Sequence, residues 1–274
     1  FIKAAGDLAS YGGNSAIDQR NNTAWAMVVG SHNMMGVKSR HTSSGANLWI
    51  SAPGGEAGFQ SDYREFEYRQ PVVDFYPSVV STDVFNEEYP CSVGYAKKPV
   101  YFAQDLDPDP SIHSLGHSSG FNMGWNPLNA DCQYTATMPS SPAAAAMASG
   151  ATAILLEANP QLGWRDIKYI YARTAYKIDS QRRAEITNIG QSQYERTLPW
   201  IRNSGGFDFH NWYGFGALDL KAALEMANPK TYRNLPEVYD SNWILADAPM
   251  RRIPVASISG VNSSFQNIKN VVLE

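Results

Sequence analysis

The opening residues Phe1-Ile2-Lys3-Ala4-Ala5-Gly6 read as a buried strand ending at a glycine. Residues 24–30 (AWAMVVG) are a short apolar run between polar turns, the pattern of a strand covered on both faces. Val37 to Ser43 and Leu48 to Ala52 read as further strands, separated by the turn residues Ser44-Gly45-Ala46-Asn47. From Gly54 to about Asn129 the chain is irregular and rich in Gly, Pro, Asp and Tyr. That is too long for one structureless loop in a compact domain, so short strands and an insertion are expected within it.

The period then changes from two to 3.6. Ser141-Pro142 is a helix start: a serine cap, then proline at the first helical position, where its missing N–H costs nothing. The small residues Ala143 to Ala146, Ala148 and Gly150, with Ile154, Leu155 and Leu156, make this segment apolar nearly all round. That predicts a buried central helix, which Asn159-Pro160 ends. A second helix is expected from Trp164 to Ala175, with Ile167, Ile170, Tyr171 and Thr174 on one face. A third should run from Leu220 to Ala227, after the turn Tyr213-Gly214-Phe215-Gly216. Beyond Pro229, prolines at 236, 249 and 254 punctuate an extended segment, and Val255 to Leu273 alternates like β structure. The expected division is one domain over 1–230, a linker over 231–250 and the start of a β-rich segment over 251–274.

Composition narrows the function classes. The 274 residues are 43% hydrophobic and 18% charged, as expected of a globular chain with a sizeable core. A net charge of −4 supplies no basic footprint, which argues against a nucleic-acid partner. No run approaches the roughly 20 apolar residues of a membrane span. The chain does not begin with Met, so any targeting segment is expected upstream.

Met138 to Gly150, MPSSPAAAAMASG, continuing ATAILLEANP, resembles the nucleophile helix of the subtilisin-like serine peptidases, and of their kexin-like branch most closely. The family pattern is G-T-S, three small residues, proline, then small residues and glycine. Anchored on Gly150 and on Leu156 to Pro160, the patterns run together without a gap. The family's glycine then falls on Ser140, its threonine on Ser141, its nucleophilic serine on Pro142 and its later proline on Ala146. Other segments follow in order. FIKAAGD is similar to the strand whose A-x-G-N carries the oxyanion-hole asparagine, which places Asp7 at that asparagine. TAWAMVVGS and GVKSRHTSSGANLWISAPGGE resemble the family's strand, turn and "A-P-G" segment. Ala158-Asn159-Pro160 with Gly163 to Ile167 resembles its helix junction. HNWYGFGALDLKAAL resembles the closing Y-G-x-G-x-x-D. Residues 251–274 look like the opening strands of the P domain that follows the catalytic domain in kexin-like enzymes.

The resemblance implies an α/β fold, a mostly parallel sheet flanked by helices, whose amino-terminal half lies upstream of Phe1 together with the family's aspartate and histidine motifs. It also implies a defective active site. Proline offers no oxygen nucleophile, and losing the serine costs about 10⁶ in rate in a subtilisin. Aspartate cannot donate to a developing oxyanion, and losing that donor costs about 10²–10³. A catalytically dead module of an extracellular, cell-surface or periplasmic protein, binding a protein or peptide partner, is the expectation. The alternative is an active endopeptidase that uses Ser141, one residue early, or whose triad is completed upstream.

Secondary features carry competing readings. The resemblance places Asp18 at an acid lining the pocket for the basic residue before the scissile bond, whereas DQRNNT alone reads as a surface turn. It also suggests a Cys91–Cys132 disulfide, hence an oxidising compartment; two free buried thiols are the alternative. His113 and His117 are four apart but sit in a glycine-containing loop with no third ligand, so no metal site is expected. No cofactor is expected, and calcium is the one ion suggested, by Glu56 and the run Asp105, Asp107, Asp109. Asn21-Asn22-Thr23 and Asn262-Ser263-Ser264 are sequons.

Overall fold

In a computed structural model, residues 1–56, 78–82, 127–131, 133–138 and 140–236 are described. Three strands, β1 (Ile2–Ala4), β2 (Met27–His32) and β3 (Leu48–Pro53), form a parallel sheet in the order β1-β2-β3. Every residue of β2 is buried, as its continuous apolar run predicts. The two faces bury alternate side chains. Met27, Val29, Ile50 and Ala52 face the main core, while Ala5, Ala26, Val28 and Leu48 form a smaller cluster.

Helix α1 (Ser141–Ala158) packs on all three strands of that sheet. Its small residues Ala144, Ala145 and Ala148 let the helix approach closely, and Leu155, fully buried, fills the core beside them. Burying one such leucine is worth about 1.5–3 kcal/mol. Helices α2 (Trp164–Thr174) and α3 (Leu220–Met226) pack on each other, and Ile170, Tyr171, Ala223 and Ala227 join the same core. Gly163 allows the Asp166 carboxylate to accept its N–H at 2.8 Å, which fixes the start of α2.

Four antiparallel strand segments and a hairpin complete the described part. Val79–Thr82 (β4) pairs with Tyr134–Met138 (β5), which leads directly into α1. Glu185–Ile189 (β6) and Ser192–Thr197 (β7) form a hairpin turned at Gly190, whose φ is +61°. Ile201–Arg202 (β8) pairs with Asp208–Phe209 (β9). The compact unit runs from Phe1 to Asn234.

Three expectations need correction. Val37 to Ser43 is no strand: its hydroxyls serve neighbouring backbone instead of a ladder. Thr42 Oγ1 accepts the Ser31 N–H at 3.3 Å, and Ser43 Oγ accepts that of Leu8 at 3.2 Å. Helix α1 is not buried all round, because the sheet covers only one side of it; Met147 and Ile154 on the other side are each 46% exposed. The helix is capped by Ser140 and not by Ser141, so Pro142 stands at the second helical position. The segments 251–274, Asp105 to Asp109, His113, His117, Cys91 and Cys132 lie outside the described residues.

Candidate active site

The carboxyl end of β1 meets the amino end of α1. Gly6, at φ +95°, turns the chain after the strand and aims its N–H at Ser141 Oγ, 3.0 Å away. The next residue, Asp7, returns the contact: its Oδ1 accepts the Ser141 N–H at 2.9 Å. A carboxylate at a helix amino end is favoured by the helix dipole. Ser140 Oγ accepts the Ala143 N–H at 3.0 Å, and the Ser140 carbonyl accepts that of Ala144 at 3.4 Å. Between them stands Pro142, which has no N–H. Every backbone donor of the first helical turn is therefore consumed within the chain.

Gly54 presses against this start. Its carbonyl accepts the Ser140 N–H at 3.3 Å, and a Cβ on it would come within 2.6 Å of the Ser140 carbonyl oxygen. The glycine of the "A-P-G" segment is thus required by close backbone approach. Replacing Ser140 by alanine removes the cap and is expected to lower stability by about 1 kcal/mol, read as a shift of the urea midpoint.

Ser141 is fully buried, whereas Pro142 is exposed. The structure brings Asp7, Ser141 and His41 together; sequence reasoning missed the histidine because the segment that holds it, GVKSRHTSSGANLWISAPGGE, is matched to the family's turn and not to a catalytic motif. His41 is half-buried; its Nε2 is 3.9 Å from Asp7 Oδ1, and that nitrogen, itself shut off from solvent, has no hydrogen-bond partner. Burial pushes its pKa down, against the pull of Asp7 and with some help from Lys38. His41 and Ser141 each meet Asp7; among the described residues no hydrogen bond joins them to each other.

Asp18 lies apart from this cluster. It caps the short turn Gln19–Asn21, accepting the Arg20 N–H at 3.0 Å. The Arg20 guanidinium grips both carboxylate oxygens, at 3.0 and 3.1 Å, and Lys3 Nζ lies 3.2 Å away. These bonds, Arg20 first, hold its pKa far below the ordinary carboxylate range. Asn21, the sequon asparagine beside it, is buried and donates to the Ala4 and Ser15 carbonyls. Glu56 is also buried; it accepts from Asn33 Nδ2 and from the Arg40 N–H, both at 3.1 Å. Burial raises its pKa against those bonds. Among the described residues, no group of three His, Cys, Asp or Glu side chains could hold a metal ion. Nor is any helix there long and apolar enough to cross a membrane.

The subtilase family model matches residues 1–216. The extracellular serine protease of Aeromonas sobria is 30% identical over 235 residues, covering 84% of this chain and 32% of that protein. The microbial serine proteinase of Aeromonas salmonicida is 30% identical over 213 residues, covering 76% and 28%. A PC3-like endoprotease variant of Hydra vulgaris is 35% identical over 150 residues, covering 52% and 19%. The crystal structure of the Aeromonas sobria serine protease superposes with a TM-score of 0.63 at 29% identity, covering 86% of this chain and 37% of that one. The chain thus spans about a third of the length of the curated relatives it matches first.

Proposed function

We propose, because this chain belongs to the subtilase family, that it is a catalytically inactive member in which the peptidase fold serves as an interaction module. One observation carries the reading: the amino end of α1 has neither a nucleophile nor a donor to spare. Pro142 occupies the nucleophile position and offers neither oxygen nor N–H, and the Ser141 N–H is held by Asp7. A tetrahedral intermediate needs preorganised donors facing its oxyanion; here a carboxylate takes that place and would repel it. The similarity to a PC3-like endoprotease supports the kexin-like branch, and with it a P-like segment after residue 250. The name of the Aeromonas sobria relative supports an extracellular setting. A crystal structure of that protease in complex with a chaperone supports a protein partner.

The burial of Ser141 and its bond from Gly6 count against its use as a displaced nucleophile. A fluorophosphonate probe added to the folded full-length protein is expected to leave it unlabelled. Labelling at Ser141, mapped by peptide mass spectrometry, would restore the endopeptidase reading.

A further inference from the structure

The turn that leaves β2 carries an amine short of partners. Asn33 fixes the turn: its Oδ1 accepts the Met35 and Val37 N–H groups at 3.0 and 3.2 Å, and its own N–H reaches the Val37 carbonyl at 2.8 Å. Lys38 follows, anchored by its backbone N–H, which donates to Tyr213 Oη at 3.1 Å. Lys38 is half-buried, but the turn beside it is open to solvent, with Met34 and Met35 71% and 72% exposed. Its Nζ makes one hydrogen bond, to the Ser39 carbonyl at 3.2 Å, and among the described residues no carboxylate pairs with it. The two carboxylates that attract it are engaged elsewhere: Glu56 by Asn33 and the Arg40 N–H, Glu185 by Arg182 and Arg196.

A second cation shares the aromatic support of this amine. The Trp212 ring carries Lys38 Nζ at 5.5 Å and the Arg182 guanidinium at 4.1 Å. Burial, above all, brings the Lys38 pKa down to about 8; Glu56 and Glu185 oppose it, while Arg182 and Arg196 assist. A desolvated lysine beside another cation is the arrangement that makes a nucleophilic amine. Lys168 is lowered as far by burial, but the Ala24 and Ala26 carbonyls each hold its Nζ at 2.9 Å. That amine is tied at two points, and Lys38 at one. The neighbouring N–H groups decide which electrophile fits. An acyl donor needs donors facing its oxyanion, and those at hand are spent: the Lys38 N–H on Tyr213 Oη, that of Ser39 on the Ser31 carbonyl. Imine formation needs none. The amine nitrogen bonds to the carbonyl carbon, the C–O bond breaks, and the oxygen leaves as water with both amine protons.

We infer that Lys38 is a covalent modification site, whose amine takes small aldehydes as imines ahead of the other lysines of the described fold. The inference does not depend on whether the α1 site is active. The test is reductive methylation of the full-length protein with formaldehyde and sodium cyanoborohydride at about pH 7.5, each lysine being followed by peptide mass spectrometry. An ordinary lysine is well under 1% neutral at that pH, whereas Lys38 should be roughly a quarter neutral. Half-burial offsets part of that advantage, so Lys38 should react about tenfold faster than the exposed Lys221 and Lys230. Its lead should shrink as the pH rises to about 10, where the other amines lose their protons too. Arg182→Gln should slow Lys38 about threefold and leave Lys221 unchanged; circular dichroism confirms that the variant is folded. A Lys38 rate no higher than that of Lys168 or Lys221, a lead that does not change with pH, or an unchanged rate in folded Arg182→Gln would each overturn the inference.

Discussion

Replacing Gly214 by alanine is expected to be the most damaging small substitution in the described fold. Gly214 adopts φ +61°, which costs a side-chain-bearing residue about 1–2 kcal/mol. A Cβ there would also overlap the Trp49 carbonyl and lie 2.9 Å from the Ile50 nitrogen. Neither neighbour can give way. Ile50 is in the central core, and the Trp49 carbonyl accepts the Phe215 N–H at 2.8 Å. Overpacking adds about 1–3 kcal/mol, for a total of roughly 2–5 kcal/mol. Gly216 repeats the problem against Tyr176, whose carbonyl oxygen would be 2.5 Å from a Cβ. The measurement is the urea midpoint and soluble yield of Gly214→Ala beside Gly150→Ala. Gly150 is a helical position with open space around it, so alanine there should be neutral or slightly stabilising. Equal stability of the two variants would refute the argument.

Stability should also fall as the pH drops from about 6.5 to about 4, through two buried histidines. His210 is enclosed by Trp200, Trp212 and Tyr213; its Nδ1 accepts the Trp212 N–H at 3.0 Å and its Nε2 has no partner. Burial lowers its pKa to about 4; Asp179 and Glu185 pull it up, and Arg182 pushes it down. Burial alone lowers His32, also to about 4. The sign follows from proton counting. Between the folded value near 4 and the unfolded value near 6.5 the unfolded chain binds the extra proton, so acid favours unfolding. The contribution is fully present above pH 6.5, is lost as the pH falls, and levels off below 4. It amounts to about 3 kcal/mol per histidine. Urea titrations at several pH values should show this slope in the native protein and a flatter one in His32→Gln/His210→Gln. A slope unchanged in the double variant would assign the acid sensitivity to carboxylates instead.

The same residues show how far local pattern reaches. The apolar run Ala24 to Gly30 predicts a buried strand, and β2 is buried throughout because parallel strands are covered on both faces. Helix α2 falls where its periodic residues place it, ending one residue early. The hairpin over Glu185–Thr197 lies in a stretch for which the sequence pattern predicts no element; Gly190 supplies the positive φ its turn needs. Val37 to Ser43 misleads because alternation cannot show that the Thr42 and Ser43 hydroxyls accept from other segments' backbone while that of Ser39 pairs with the Ser31 hydroxyl. The exposed face of α1 is invisible for a related reason, since apolar composition does not say how many sides a sheet covers.

At the site, residue identity and spacing alone carry the family pattern, and the expectation that Pro142 stands at the nucleophile position and Asp7 at the oxyanion position rests on that spacing. Tertiary structure decided what those residues do. It set Ser140, not Ser141, as the cap, buried Ser141 beneath the Gly6 N–H, and filled the helix end with the Asp7 carboxylate. It also placed His41 beside Asp7 and Arg173 beside Phe207, pairs 34 residues apart in sequence in each case. Such pairings arise when strands and helices pack, and no local rule of period, propensity or capping contains them.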